Sequence, residues 1–348
     1  MKTHLLMKTI MSSITSRLLK NKIVKESLHT QKDTEFISTG CLTINLLFSG
    51  KLYGGIPRGQ VSMIAADSAL GKSFVANKVI RNAQRQYDMD AALIDTEFAY
   101  SESFASTIGV NTDRMVVIQN NQLEEVQTVV VNMLEDLDRS EREKLILVID
   151  SWGNVNTSKA VKDAKDGKDV SDMTAAKKKN SFARILTGLG CTVLIVNHVI
   201  STMDQYNPLA VGGGKGAYFA CSSIVMCTSK ARSKDGDEID GAIITAKVQK
   251  GRYAVEHSKL KYMIKHDGGI HPYYGILEDA LAGGFVTKPK QGWYSRPCVK
   301  DDKSWREKTI WANAEEFWKP LLEDVKFHEY FERRYSFKHN SIASTDLF

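Results

Sequence analysis

The 348-residue chain is 43% hydrophobic and 25% charged, proportions that suit a large α/β core with smaller appendages better than one minimal domain. Lys and Arg outnumber Asp and Glu by 47 to 41, and the resulting net charge of +6 is compatible with an acidic polymer as partner but selects none. No apolar run has spanning or signal-peptide length, and Cys41, Cys191, Cys221, Cys227 and Cys298 form no CxxC pair, so membrane insertion, a zinc site and a disulfide framework are not expected and a cytoplasmic setting is.

In chain order, Ser12 to about Glu26 reads as an amphipathic helix, with Ile14, Leu18, Leu19 and Ile23 at helical spacing. A polar stretch from His29 to Glu35 sets this arm apart, so it either docks on a neighbouring subunit or caps its own core. Strand–helix alternation begins near Ile37. Val61 to Ala65 is a short strand, a glycine-containing turn follows, and Lys72 to about Gln86 is a helix. Ala91 to Ile94 and Met115 to Ile118 are strands. Leu123 to Leu137 is a helix that gathers Val126, Val129, Val130, Met133, Leu134 and Leu137 on one face. Leu145 to Ile149 and Thr192 to Val196 are continuous apolar runs of the kind covered on both faces. Between them, the Lys/Asp-rich stretch from Asn154 to Asp169 reads as a mobile loop, followed by a helix from about Ser171 to Leu189. Lys177, Lys178 and Lys179 on that helix read as a solvated face. After Ile224 to Cys227 come strands without helices, Ala242 to Val248 and Leu260 to Ile264, and then an aromatic-rich tail. The expected architecture is a mostly parallel sheet flanked by helices over residues 37–270, with an N-terminal arm over 1–36 and a small α+β domain over 271–348.

The sharpest motif is Ala66-Asp67-Ser68-Ala69-Leu70-Gly71-Lys72-Ser73, set between a strand and a helix and followed by Phe74. This is the phosphate-loop pattern with Ala66 at the first glycine position. Main-chain N–H groups at a helix N-terminus would surround phosphates, Lys72 would reach the outer oxygens, and the Ser73 hydroxyl would sit on Mg²⁺. Leu145 to Ile149 ends at Asp150, a carboxylate placed for the same Mg²⁺. Glu97, after Ile94-Asp95-Thr96, sits where a carboxylate would orient and partly deprotonate the attacking water. Strand-ending acids are also common surface residues, so the last two assignments lean on the loop beside them.

The order Ile37-Ser38-Thr39-Gly40, Gly54-Gly55-Ile56-Pro57-Arg58-Gly59, the phosphate loop and Asp95-Thr96-Glu97 resembles the opening of RecA-type recombinase cores. Val170-Ser171-Asp172-Met173-Thr174, Asn197-His198, Gly212-Gly213-Gly214, Asp267-Gly268-Gly269-Ile270 and Gly292-Trp293-Tyr294 are similar to UvsX-type bacteriophage recombination proteins. The resemblance runs from about Ser12 to the Trp318 region. It implies a DNA-dependent ATPase that uses ATP and Mg²⁺, forms helical filaments on single-stranded DNA and carries out homologous pairing and strand exchange. It also implies double-stranded DNA as a partner, along with single-strand-binding and mediator proteins.

Carried over by residue, the resemblance gives Glu97 the water-activating role, Phe104 the adenine-stacking surface and His198 a γ-phosphate-sensing place, where bacterial relatives keep Gln. Loops at about Asn156 to Asp169 and Val199 to Gly214 would line DNA. In the second of these, Met203 and Tyr206 would wedge between bases, and Gly212, Gly213, Gly214 and Lys215 would hold phosphates. Lys250 and Arg252 would cross the filament interface and complete a neighbour's ATP site, and the tail domain is a candidate duplex-DNA contact. Two other classes share parts of this pattern. A ring-forming helicase would be expected to have a large domain ahead of the core, where this chain has about 35 residues. A non-catalytic accessory paralogue would be expected to lose Lys72, Glu97 or Asp150, all of which are present.

Overall fold

Strands buried on both faces organise the chain. In order, the first elements are β1 (Phe36–Ile37), α1 (Leu42–Ser49), β2 (Ile56–Pro57), β3 (Val61–Ala65), α2 (Lys72–Tyr87), β4 (Asp90–Asp95), α3 (Glu102–Ile108), β5 (Met115–Gln119), α4 (Leu123–Glu135) and α5 (Arg139–Arg142). They continue with β6 (Leu145–Asp150), α6 (Ser158–Lys165), α7 (Met173–Gly188), β7 (Thr192–Asn197), β8 (Val199–Ser201), β9 (Leu209–Val211) and α8 (Lys215–Ala220). An antiparallel extension follows, made of β10 (Ser223–Asp235), β11 (Glu238–Gly251), β12 (Lys259–Lys265) and β13 (Gly269–Ile270). The tail holds α9 (Leu277–Ala282), β14 (Thr287–Lys290), β15 (Trp293–Ser295), β16 (Trp305–Arg306), α10 (Glu307–Ala312), α11 (Ala314–Leu322) and α12 (Val325–Tyr335). This computed structural model describes residues 34–167, 173–203, 209–235, 238–266, 269–300 and 302–337. The helix expected at Ser12 to Glu26 lies outside them.

Nine strands form the main sheet, in the order β13-β12-β11-β10-β3-β7-β6-β4-β5. From β10 to β5 neighbouring strands are parallel, and β10 to β13 run antiparallel. Alternate residues of each central strand enter opposite cores. Ile146, Val148, Leu194 and Val196 join one hydrophobic cluster, and Leu147, Ile149, Val193 and Ile195 join the other. This two-sided burial is why the strands read as unbroken apolar runs. Parallel pairing also places the ends of β3, β4, β6 and β7 along one edge, with Ala65 opposite Asn197 and Asp95 opposite Asp150. The site is built on that edge.

Three local expectations are corrected. Asn154 to Asp169 is not all loop, because α6 forms within it. Buried Thr157 accepts from Ala160 N (3.1 Å), and Glu124 accepts from the main chain and hydroxyl of Ser158 (both 3.0 Å). On α4, Val126, Val130 and Leu134 are buried while Val129 faces solvent, since a stripe stepping by four residues leaves the intervening one outside. The lysine triplet is not simply solvated: Lys178 pairs with Glu124 at 2.6 Å, and Lys179 Nζ lies 3.4 Å from the carbonyls of Trp152 and Gly153. Partial burial works against charge on Glu124, but bonds from Lys178 and Ser158 outweigh it and bring its pKa down to about 2.

The tail carries a three-stranded antiparallel sheet, β14-β15-β16, beside α10 to α12. Trp305, Phe317, Trp318, Phe327 and Phe331 are fully buried and belong to the same hydrophobic cluster as Ile64 and Val79 of the core. The buried Arg296–Asp302 pair is satisfied, because Arg296 also donates to the carbonyls of Glu316 and Phe317. Among the described residues no helix is long and apolar enough to cross a membrane.

Candidate nucleotide site and its loop

The phosphate loop turns directly off the end of β3. Gly71, at φ +78°, starts α2, and Ala69 adopts φ +58°, so two left-handed residues alternate with ordinary ones. Such alternation points successive main-chain N–H groups to one side and forms an anion-binding concavity at the helix N-terminus. Glycine suits this left-handed position, and a Cβ there would also lie 2.2 Å from Ile264 Cδ1, so that side chain would have to shift. Asp67 Oδ1 accepts from Ser68 N at 2.8 Å and trims the loop's outer turn. Lys72 Nζ donates to the carbonyls of Ala66 (3.1 Å) and Asp67 (2.8 Å), which closes the loop on itself. Burial pulls the Lys72 pKa down, with Asp150 and Glu97 acting against that shift. Leu70 is buried beneath the loop, and Phe74 stands edge-on to the half-exposed Phe104 with ring centroids 5.8 Å apart. Phe104, braced by Phe74, offers an aromatic surface beside the loop.

Ser73 Oγ donates to Asp150 Oδ2 at 2.8 Å. Burial raises the Asp150 pKa, and the Ser73 bond opposes the rise. Among the described residues no group of three or more His, Cys, Asp or Glu could hold a metal by itself. A hydroxyl and a carboxylate in contact fit Mg²⁺, which usually takes one or two protein oxygens and fills its shell with phosphates and water.

Glu97 is fixed from both sides. Buried Asp95 accepts from the main-chain N–H groups of Glu97 (3.2 Å), Ala99 (3.3 Å) and Tyr100 (2.9 Å), which shapes the turn after β4. Ser151 Oγ donates to Glu97 Oε1 at 2.8 Å, and His198 Nε2 lies 2.9 Å from that oxygen and 3.1 Å from Ser151 Oγ. A carboxylate only accepts, so Nε2 carries the proton. Ser151 is itself held by Thr96, whose Oγ1 accepts from Ser151 N and donates to Ser151 O, both at 2.8 Å.

His198 also stands at the start of the segment from Val199 to Gly214. Its carbonyl accepts from Gly212 N (2.9 Å), while buried Asn197 donates to Gly212 O (2.8 Å), so both ends of Val199 to Gly214 close behind the Glu97 cluster. β8 and β9 pair across the loop's neck. Gly213, at φ +78°, accepts from Trp152 Nε1 (3.2 Å) and leaves no room for a Cβ, which would sit 2.5 Å from Trp152 Cδ1. Gly214, at φ +88°, precedes α8, and Lys215 opens that helix in solvent. Met203 is fully exposed. Tyr206 lies outside the described residues.

Lys250 and Arg252 are not close neighbours of the phosphate loop. Arg252 N bonds Ser222 O, and Ser222 N bonds Val61 O, which sets Arg252 level with the start of β3. The loop leaves the other end of that strand, about 13 Å away along it. Lys250 Nζ donates to the carbonyls of Tyr218 (3.0 Å) and Phe219 (3.1 Å) at the end of α8, whereas Arg252 is exposed.

The residues that sequence reasoning left without a role are Ser151, Thr96, Asn197 and Trp152, which join Glu97 and His198 to the loop. Thr96 and Asn197 stood within quoted motifs, and Ser151 followed Asp150. Trp152 gave no signal beyond its place after Asp150.

Comparison with known proteins bears on this arrangement. The model of the RecA N-terminal domain matches residues 5–271, and that of the bacteriophage T4 recombination and repair protein C-terminal domain matches residues 273–331. The chain is 32% identical over 343 residues to the recombination and repair protein of Enterobacteria phage T4, covering 93% of this chain and 86% of that one. It is 29% identical over 288 residues to Protein RecA of Sulfurovum sp., covering 79% of this chain and 80% of that one. With Protein RecA of Bacteroides thetaiotaomicron it shares 26% over 311 residues, covering 84% and 91%.

Proposed function

Starting from the RecA family of recombination and repair proteins, to which this chain belongs, we propose that it is an ATP-driven recombinase that assembles on single-stranded DNA and exchanges strands. The observation that carries the reading is continuity. The Ser73–Asp150 pair, Glu97, Ser151 and His198 are linked in space, and the carbonyl of His198 closes a glycine-rich loop. ATP with Mg²⁺ would supply the transferable phosphoryl group and the charge that Ser73 and Asp150 hold in place. Loop N–H groups and Lys72 bind the phosphates, Phe104 and Phe74 take the base, and Glu97 orients water and accepts its proton. His198, bonded to Glu97 and joined to Gly212, passes the state of the phosphate end to the loop. The loop holds single-stranded DNA through Gly212, Gly213, Gly214 and Lys215, with Met203 and Tyr206 between bases and α6 as the opposite wall.

Lys250 and Arg252 act on a neighbour's site. Their distance from their own phosphate loop supports this, since a cation level with the start of β3 does not reach a phosphate beyond its end. The arm over residues 1–36 makes the remaining subunit contact. In the tail, Lys290 and Arg306 flank the Trp293 ring at 4.9 and 4.8 Å, and Lys288 lies 5.4 Å from Tyr294. That cationic, aromatic face suits the phosphate backbone of duplex DNA. Electron microscopy of the full chain with single-stranded DNA and a non-hydrolysable ATP analogue tests the whole reading. Helical filaments are expected. Closed rings would favour a helicase, and bare DNA would favour an accessory protein.

A further inference from the structure

Side chains from the antiparallel extension converge on three consecutive residues of the phosphate loop. Lys230 Nζ, on β10, donates to Ala69 O at 3.4 Å, and Tyr262 Oη, on β12, donates to Leu70 O at 3.1 Å. Ile264 Cδ1 fills the space beside Gly71. Topology explains the reach. β10 pairs with β3 only as far as Met226 against Ala65, so its next residues run past the end of β3 and alongside the loop. Tyr262 is fixed in the core, where its hydroxyl also meets Cys227 Sγ at 3.3 Å. Lys230 is the exposed member of the three.

Ala69 is the loop residue that needs support. Its φ of +58° lies in the left-handed region that disfavours any side chain with a Cβ. Yet that conformation is what turns the neighbouring N–H groups inward and the Ala69 carbonyl outward. An ammonium on the outward carbonyl favours this arrangement over the ordinary one, in which the carbonyl would swing towards the anion.

We propose that Lys230 is a positioning residue of the nucleotide site: it holds the Ala69 carbonyl outward and thereby keeps the loop's N–H groups presented to phosphate. The proposal rests on the nucleotide reading of this loop and gives Lys230 no contact with the reacting atoms. Two ordinary alternatives exist. A surface lysine could have no part in the site, or its charge could attract an anionic ligand through space without acting on Ala69.

Binding of a fluorescent, non-hydrolysable ATP analogue to the full chain separates them, using Lys230→Met, Lys230→Arg, Ala69→Gly and the Ala69→Gly/Lys230→Met double variant. Lys230→Met is expected to weaken binding about five- to tenfold, the usual scale of one partly exposed hydrogen bond, and Lys230→Arg to restore most of it. Hydrolysis at saturating ATP should be unchanged in Lys230→Met, so that the loss falls on KM and not on kcat. In the Ala69→Gly background the loss should shrink to about twofold or less, because glycine adopts the left-handed turn without help. Equal losses in both backgrounds would overturn the proposal in favour of through-space charge, and no loss in either would overturn it outright. Failure of the unsubstituted chain to bind the analogue would instead overturn the nucleotide reading of the loop.

Discussion

Replacing Gly213 by alanine perturbs a single contact between the proposed DNA loop and the nucleotide site. At φ +78° the new residue takes on a left-handed backbone, costing about 1–2 kcal/mol. Its Cβ would also lie 2.5 Å from Trp152 Cδ1 and 3.0 Å from Trp152 Nε1. Trp152 is fully buried and stacks on Phe182 with centroids 5.6 Å apart, so it has no room to yield, and overpacking of this kind adds about 1–3 kcal/mol. Gly190 is the matched control. It has φ +77°, nothing lies within 4 Å of its would-be Cβ, and alanine there meets the backbone cost alone. Chemical denaturation should therefore show Gly213→Ala destabilised more than Gly190→Ala by about 1–3 kcal/mol, unless the loop relieves the clash by detaching from Trp152. Either outcome displaces the loop's end from behind Asn197 and His198. ATP hydrolysis with and without single-stranded DNA is the deciding assay. Gly213→Ala should lose most of its DNA stimulation, about tenfold for each 1.4 kcal/mol of lost coupling, while nucleotide binding without DNA stays near normal. DNA stimulation equal to that of Gly190→Ala would refute the idea that this contact couples loop and site.

Three further outcomes are expected. Lys72→Ala should weaken nucleotide binding, whereas Glu97→Gln should keep ATP bound and slow hydrolysis by about two to four orders of magnitude, the usual contribution of a positioned base; normal turnover in Glu97→Gln would remove its assignment. Glu97→Gln and Arg252→Ala proteins, each nearly inactive alone, should regain part of the activity when mixed, since some interfaces then join an intact Glu97 to an intact Arg252; no recovery despite demonstrated co-assembly would place Arg252 outside the neighbour's site. Charge reversal at Lys290 and Arg306 together should lower duplex DNA affinity and flatten its dependence on salt by about one unit of slope per lost phosphate contact, as read from binding titrations at several salt concentrations, while single-strand binding through the core persists; an unchanged salt slope for duplex would count against the tail face.

What the sequence disclosed and what it hid divide along contact distance. The phosphate loop was legible because its requirements fall on adjacent residues: glycine where a left-handed turn starts a helix, then a cation, then a hydroxyl. The central strands were legible because burial on both faces removes polar residues from runs such as Leu145 to Ile149 and Thr192 to Val196. The helix Ser158–Lys165 was hidden inside a polar segment because its anchor, Glu124, sits on another helix 34 residues away from Ser158. Lys178 and Lys179 looked solvated for the same reason, since their partners are Glu124 and the carbonyls of Trp152 and Gly153. Lys230 was one basic residue among several on a strand, and only the overhang of β10 past β3 brings it to Ala69. Composition could not show that Val129 faces out, because α4 needs only one residue per turn against the sheet.

The placement of Lys250 adds a constraint on how assembly and DNA binding communicate. Its ammonium holds the carbonyls of Tyr218 and Phe219 at the end of α8, and also lies 5.4 Å from the Tyr218 ring. α8 begins at Lys215, immediately after the glycines that close the proposed DNA loop, and Gly216 N is held by Asn180 Oδ1 at 2.9 Å. A lysine that neutralises a neighbour's phosphate must leave those carbonyls. The C-terminal end of α8 then loses its counter-charge, a change worth about 0.3–1 kcal/mol for an exposed helix end. α8 is only six residues long, so a shift at one end is felt at the other, where Gly214 and Lys215 meet the loop. On the proposed reading, docking a neighbour and ordering the DNA loop therefore draw on the same short helix. DNA held at Gly212 to Lys215 would steady α8 from its first turn and make release of Lys250 less costly, which is the direction needed for DNA to switch on hydrolysis across the interface.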